Sequence, residues 1–186
     1  MKPQRTEVYW NPFIHSAFYN KPIYLAATAI GLCQVTFPHE SFEYLQREIK
    51  KRIPNAEFIQ GIDPMSEYSR QLKEYLDGDR KEFTFAIDFR GTDFQISVWR
   101  ALVNIPYGEV RSYSDIARTI GNSNAVRAVG TANGANPIPI VVPCHRVLGR
   151  NKTLTGFRGG LKMKETLLRL EGFNAFTVNG HERYFF

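Results

Sequence analysis

The chain has 186 residues, 43% of them hydrophobic and 23% charged, with a net charge of +6. That length holds one large domain or two small ones, and the composition is that of an ordinary globular protein. With only Cys33 and Cys144 present, a disulfide framework and a cysteine-rich metal site are both excluded. No apolar run is long enough to span a bilayer, and Met1–Arg5 leads into no apolar signal core. A cytoplasmic, reducing location is the expectation, with no metal and no cofactor.

The first half reads as a mixed α/β module. Ile23 to Phe37 is rich in β-branched and aromatic residues around Gly31, and predicts a hairpin. Phe42, Leu45, Ile49 and Ile53 recur at helical spacing, so Glu40 to Arg52 is expected to be an amphipathic helix. Met65, Tyr68, Leu72, Tyr75 and Leu76 mark a second helix, begun near Pro64 and stopped near Gly78. Phe83, Phe85 and Ile87 alternate with other residues and predict a strand. Cys33 falls in the hairpin pattern and reads as core. His15 and His39 lack partners at metal-ligand spacing.

A boundary falls near Asp88–Thr92, giving an expected division into residues 1–88 and 89–186. The charge divides with it. Residues 1–88 carry 11 Lys and Arg against 12 Asp and Glu, a net of −1; residues 89–186 carry 13 against 6, a net of +7. A basic half fits a polyanionic partner such as nucleic acid, although a solvated basic face would give the same count.

Short helices follow. Thr92 or Asp93 can cap a helix carrying Phe94, Val98, Leu102 and Ile105, ended by Pro106-Tyr107-Gly108. Ser112 is a good N-cap for Tyr113 to Ile120, with Asp115 at the third helical position. Gly121-Asn122-Ser123 reads as a tight turn, and Asn124 can cap a further helix from Ala125 to about Ala132. Helix, short glycine turn, helix is the outline of a helix-turn-helix. The second helix offers Ala125, Ala128, Ala132 and the long cation Arg127 instead of the Gln and Asn that read base edges in the major groove. Small residues and one projecting cation suit a minor-groove binder; a plain buried helix fits that composition equally well.

Cys144 follows the stiff apolar run Pro137 to Val142 and precedes His145 and Arg146. A thiolate is the reactive form of cysteine, and a neighbouring imidazole and cations lower its pKa. Alone, such a pair fits a small buried hydrophobe at least as well.

The motifs together alter that balance. Phe94-Gln95, Val98-Trp99, Ile105-Pro106-Tyr107-Gly108, Ser112-Tyr113, Arg127-Ala128-Val129-Gly130, Asn136-Pro137, Pro143-Cys144-His145-Arg146-Val147, Gly159-Gly160 and Leu167 to Gly172 occur in order. In this the chain resembles the O6-alkylguanine-DNA alkyltransferase family, closely over about residues 92–172. Residues 1–88 match in layout only. The resemblance implies an α+β protein: a ribonuclease-H-like N-terminal α/β domain, then a mostly helical C-terminal domain with a winged-helix-like helix-turn-helix. It implies a monomer without an obligate protein partner, acting on double-stranded DNA that contains O6-alkylguanine, with no membrane association.

The activity so implied is direct reversal: the alkyl group passes irreversibly from O6-methylguanine, with O4-methylthymine as a further expected substrate, to Cys144, once per protein molecule. The resemblance makes His145, reached through a water, the partner of Cys144, and Glu171 the partner of His145. It makes Tyr113 a donor to ring N3 of the leaving guanine and Asn136 the residue that orients the cysteine. The carbonyls of Cys144 and Val147 would accept from the guanine amine. Arg127 would fill the space of a nucleotide flipped through the minor groove, with Ala125, Ala128 and Ala132 against that groove and Ser112 on a phosphate. Pro139, Val147, Phe157, Arg158 and Gly159 would line the substrate pocket. Better-known members carry Tyr and Ser where Phe157 and Arg158 stand. Arg158 cannot repeat the hydroxyl contact to guanine O6, so acceptance of bulky O6 groups is left open.

Three other readings stand beside this one. A cysteine hydrolase would use the same Cys and His but turn over. A helix-turn-helix regulator would tolerate Cys144→Ser. A damage-binding relative without transfer would lack the reactive cysteine that is present here.

Overall fold

The computed structural model describes residues 5–178. The end of the chain, with Tyr184, Phe185 and Phe186, lies outside the described residues. The chain divides into two compact units, one up to Arg90 and one from Gly91 onward.

The first unit is built on a four-stranded sheet of β1 (Thr6–Ile14), β2 (Pro22–Ala27), β3 (Leu32–Val35) and β4 (Ala56–Gln60), in the order β3-β2-β1-β4. β1 runs antiparallel to β2 and parallel to β4; β2 and β3 form the expected hairpin. Gly31 is obligatory in that hairpin, because an added Cβ would stand 2.3 Å from the Ala86 carbonyl oxygen. Helix α1 (Phe42–Arg52) starts two residues later than expected, at a Ser41 side-chain cap. It lays Leu45 and Ile49 on Val8, Ala26 and Cys33 of the sheet. Each such aliphatic side chain, once fully buried, contributes about 1.5–3 kcal/mol. Helix α2 (Ile62–Leu76) packs on β1 and β2.

Two strands escape the sequence reading, and one predicted strand is absent. In β1, Asn11 and Pro12 interrupt the pattern. Pro12 is tolerated because β4 pairs only with Thr6 to Trp10, so β1 is an edge at Pro12. β4 is too short to announce itself. Phe83 to Ile87 bends at Phe85 and joins no ladder beyond one bridge, Leu32 to Ile87. Its alternation reflects packing of Phe85 on Tyr68 and of Phe83 on Tyr75. The buried Gln71 side chain takes the place of a neighbouring strand, bonding Thr84 through both its oxygen and its nitrogen.

The second unit begins with α3 (Asp93–Val103), whose Thr92 and Gln95 form a reciprocal capping box. Buried Trp99 donates from Nε1 to the Ala132 carbonyl at 2.9 Å, tying α3 to helix α5 (Val126–Gly134). Helix α4 (Tyr113–Thr119) has a second capping box, from Ser112 and Asp115. The α4–α5 turn passes through Gly121 at φ +75. Asn124 does not cap α5: Ala125 occupies the N-cap position without a side-chain bond. Short strands β5 (Arg111–Ser112) and β6 (Val147–Leu148) pair in parallel, and helix α6 (Leu161–Leu170) completes the unit. The β5–β6 pairing brings the start of α4 beside the residues that follow Cys144.

Candidate active site

One buried amide holds the chain path into Cys144. Every residue from Asn136 to Leu148 is buried. Within this run Ile140 sits at φ +75, a left-handed conformation that costs a β-branched residue on the order of 1–3 kcal/mol. Asn136 clamps the strained turn. Its Oδ1 accepts from the Ile138 amide at 2.9 Å, and its Nδ2 donates to the Val142 carbonyl at 2.8 Å. The same side chain acts to lower the pKa of the Cys144 thiol. Cys144 then opens a 3-10 turn, Cys144–Arg146, with only 4% of its surface exposed.

Burial pushes the Cys144 thiol above its ordinary value, and Asn136, Arg158 and Lys164 oppose that rise without cancelling it. This corrects the expectation of a lowered cysteine pKa: desolvation of the anion outweighs the nearby cations. The resting residue is a thiol, and a base must take its proton.

The next residue in the chain is a histidine. His145 and Glu171 have wholly buried side chains, and His145 Nε2 lies 2.8 Å from Glu171 Oε1. Burial works to raise the Glu171 pKa, but bonds from His145 and Arg146 hold it down at about 2. An ionised Glu171 only accepts, so Nε2 carries the ring hydrogen and Nδ1, itself buried, is the basic nitrogen. Burial also keeps the imidazole neutral, against the pull of Glu171.

Arg146, unassigned by sequence reasoning, is the principal anchor of that carboxylate. Its Nε and Nη2 donate to Glu171 at 2.9–3.1 Å, and its Nη1 donates to the Ile105 carbonyl. The Gly108 amide adds a bond to Glu171 Oε2 at 3.2 Å. Gly108 has φ +78, and a Cβ there would press to 2.9 Å from the Glu171 carbonyl oxygen. Tyr107 donates its hydroxyl to the Leu170 carbonyl at 3.0 Å, next to this cluster.

Lys164 is the second residue missed. It is fully buried, and its Nζ donates to the Val147 carbonyl at 2.6 Å and the Thr155 carbonyl at 3.0 Å. Burial lowers its pKa to about 8, with the Cys144 sulfur pulling the other way. The signal was present: Lys164 falls in the apolar stripe of Leu161, Leu167 and Leu168, where a cation needs a reason. Its bond occupies one lone pair of the Val147 carbonyl; the Cys144 carbonyl already accepts from the Val147 amide and, at 3.5 Å, from Asn133.

Tyr113 stands at the first position of α4, its hydroxyl 3.4 Å from Thr155 Oγ1, the donor. A cavity of about 500 Å³ lies beside Tyr113, lined also by Ser112, Ser114, Val126, Leu148 and Arg150. The Ser112 hydroxyl is committed to the capping box, donating to Asp115 Oδ2 at 2.7 Å and accepting from the Asp115 amide. Phe157 is buried beneath the Lys164 ammonium, with Arg158 and Gly159 following half-buried. Arg158 Nη2 donates to the Asn136 carbonyl at 3.1 Å. Pro139 is buried within the turn.

On α5, Arg127 and Ala128 are exposed and Ala125 is half-buried. Ala132 is only 2% exposed. It faces inward with Val129 and cannot lie against a groove, which corrects the predicted surface; Thr131 shares the exposed side with Arg127 and Ala128. Among the described residues no cluster of three or more His, Cys, Asp or Glu is placed to hold a metal ion. No helix among them is long and apolar enough to cross a membrane.

A buried cysteine followed by a buried His–Glu pair, in one unit with two short helices joined by a glycine turn, defines a candidate thiol site joined to a helix-turn-helix outline. The comparisons give that class its family. Residues 93–173 match the family described as 6-O-methylguanine DNA methyltransferase, DNA binding domain. The inducible methylated-DNA–protein-cysteine methyltransferase of Bacillus subtilis is 44% identical over 171 residues, 92% of this chain and 94% of that protein. The Methanosarcina acetivorans methylated-DNA–protein-cysteine methyltransferase is 47% identical over 81% of this chain and 92% of its own length. The crystal structure of Mycobacterium tuberculosis O6-methylguanine methyltransferase has a TM-score of 0.74 at 40% identity, covering 88% of this chain and 92% of that one. The same organism's OGT in complex with DNA gives 0.76 at 39% identity, over 88% and 93%. The chain belongs to the methylated-DNA–protein-cysteine methyltransferase family.

Proposed function

We propose that the protein repairs DNA by direct reversal, taking the methyl group of O6-methylguanine onto Cys144. The observation that carries this reading is the wholly buried His145–Glu171 pair at 2.8 Å, on the residue next to a buried thiol. In the proposed step His145 Nδ1 takes the thiol proton through a bridging water, and the ionised Glu171 stabilises the imidazolium that results. The sulfur attacks the methyl carbon. The S–C bond forms as the C–O6 bond breaks, and its electron pair leaves with guanine. The Tyr113 hydroxyl donates a hydrogen bond to ring N3 and keeps its own proton, supporting the negative charge that builds on the departing base. The anion takes at N1 the equivalent of the proton the thiol released, which His145 returns through solvent, so the products are S-methylcysteine, guanine and neutral His145. The thioether is stable and the protein is consumed.

The methylated base is buried in a duplex, so the nucleotide leaves the stack to react. Exposed Arg127 is positioned on α5 to fill the gap, with Ala125 and Ala128 against the minor groove. The net charge of +7 over residues 89–186 supplies salt-dependent affinity for phosphates. Because the Ser112 hydroxyl is taken up by Asp115, backbone amides near the start of α4 are the more suitable phosphate donors. O4-methylthymine is a further proposed substrate. The N-terminal unit is read as a ribonuclease-H-like supporting domain, on the strength of its β3-β2-β1-β4 order with β4 parallel to β1. The second unit is read as winged-helix-like, on its α4–α5 pair and the short β5–β6 sheet.

The test is to mix the protein with duplex DNA carrying isotopically labelled O6-methylguanine. Label should pass to protein and saturate at one equivalent. DNA binding with no transferred label would overturn the proposal, and repeated turnover would favour a hydrolase.

A further inference from the structure

Arg158 lies on the lid, the loop of residues 155–160 that leads into α6; it has no role in the steps above, yet its placement is specific. It follows buried Phe157 and reaches back across the site to donate from Nη2 to the Asn136 carbonyl at 3.1 Å. Asn136 is the residue whose side chain clamps the Ile138–Val142 turn that leads into Cys144. One residue thus receives the lid through its backbone and orients the nucleophile through its side chain. A guanidinium remains charged at any pH the fold survives, unlike an ammonium whose pKa burial has lowered to about 8.

Resting on the methyl-acceptor reading, we infer that Arg158 is a positioning residue for the transfer: docked on the Asn136 carbonyl, it latches the lid to the cysteine turn and sets a permanent positive charge beside the Cys144 sulfur. A neutral lid side chain could make the latch but not supply the charge. The other charged or titratable groups about the sulfur are Lys164 from α6 and His145, with Glu171 and Arg146 behind it. Glu171 and Arg146 are paired with each other, and His145 is neutral at rest. That leaves Arg158 and Lys164 as the two cations opposing desolvation of the thiolate, and the Lys164 charge is lost as pH rises through about 8.

The test titrates Cys144 directly. In protein labelled at cysteine Cβ, the 13C shift is followed against pH, with Cys144→Ser used to assign the Cys33 signal. Single-turnover methyl transfer from an O6-methylguanine duplex is measured in parallel. Arg158→Gln should move the Cys144 midpoint up by about one pH unit and slow transfer at neutral pH about tenfold. Arg158→Lys should restore most of both below pH 9. The Trp99 fluorescence of each variant checks that the second unit is folded. Arg158→Gln with an unchanged Cys144 midpoint overturns the inference even if transfer slows, because a purely structural latch would not shift the titration. Absence of transfer by the unaltered protein, with the midpoint shift intact, would instead overturn the proposed function and leave the electrostatic role of Arg158 standing.

Discussion

The two cysteines sit in regions that bury them about equally and treat them differently. Cys33, in β3 of the sheet unit, is 7% exposed, and Cys144, in the turn of the second unit, is 4% exposed. The Cys33 thiol donates to the Ala26 carbonyl at 3.4 Å, and burial, reinforced by Asp88, pushes its pKa up to about 12. Cys144 is also pushed up by burial, but an amide and two cations attend its sulfur, and a neutral imidazole with an ionised carboxylate follows in the chain. Burial makes both residues thiols. What separates a core cysteine from an acceptor is a route for the proton and support for the charge that remains.

The sharpest way to break this comparison is to remove each sulfur in turn. Cys144→Ser should abolish transfer to within detection, while Cys33→Ala should leave the rate unchanged and cost about 1 kcal/mol of stability, read from urea unfolding. Transfer retained by Cys144→Ser would end the account of the turn. Next in size is the proton route. Glu171→Gln keeps the shape but removes the charge that orients His145, and should slow single-turnover transfer by about 100-fold or more. A loss of less than a few-fold would mean that the imidazole does not act as the base.

A smaller and more selective loss is expected at the DNA face. Arg127→Ala should weaken repair in duplex DNA on the order of tenfold, since holding a base out of the stack is worth a few kcal/mol, and should barely alter reaction with the free base. Equal losses on both substrates would remove the finger role. The mildest effect comes from pH. Glu171 is held at about 2, below its value in the unfolded chain. The unfolded state therefore binds the extra proton first, and the stability given by the pair is complete above the ordinary carboxylate range and fades as pH falls toward 2. Thermal melting followed by Trp99 should show this acid loss, and Glu171→Gln should flatten it.

Sequence reading reached the second unit further than the first because local chemistry dictates more of it. Thr92, Ser112 and Asp115 cap helices through their own side chains, and such signals sit within four residues of what they control. β1 and β4 depend on partners far along the chain, and a strand through Pro12 is possible only because pairing there is on one side. Phe83 to Ile87 misled because alternation records which side is buried, not whether a ladder exists. In the site, the contact of His145 with Glu171 was legible through the ordered motifs. Arg146 was not, because a charge reads as surface until its buried acceptor is known, here Glu171, whereas Lys164 carries a sequence signal in its place on the apolar stripe of α6, and only its acceptors, the Val147 and Thr155 carbonyls, need the structure. Ala132 failed for the reverse reason: a small residue reads alike on either face of α5, and only its packing with Val129 chose the inner one.

The most direct measurement of the central claim compares the two cysteines in one experiment. The protein is incubated with excess O6-methylguanine duplex and digested, and the peptides holding Cys33 and Cys144 are sequenced by mass spectrometry. The account predicts complete conversion of Cys144 to S-methylcysteine with Cys33 unmodified. Methyl groups on Cys33, or DNA demethylated with Cys144 still a thiol, would contradict it.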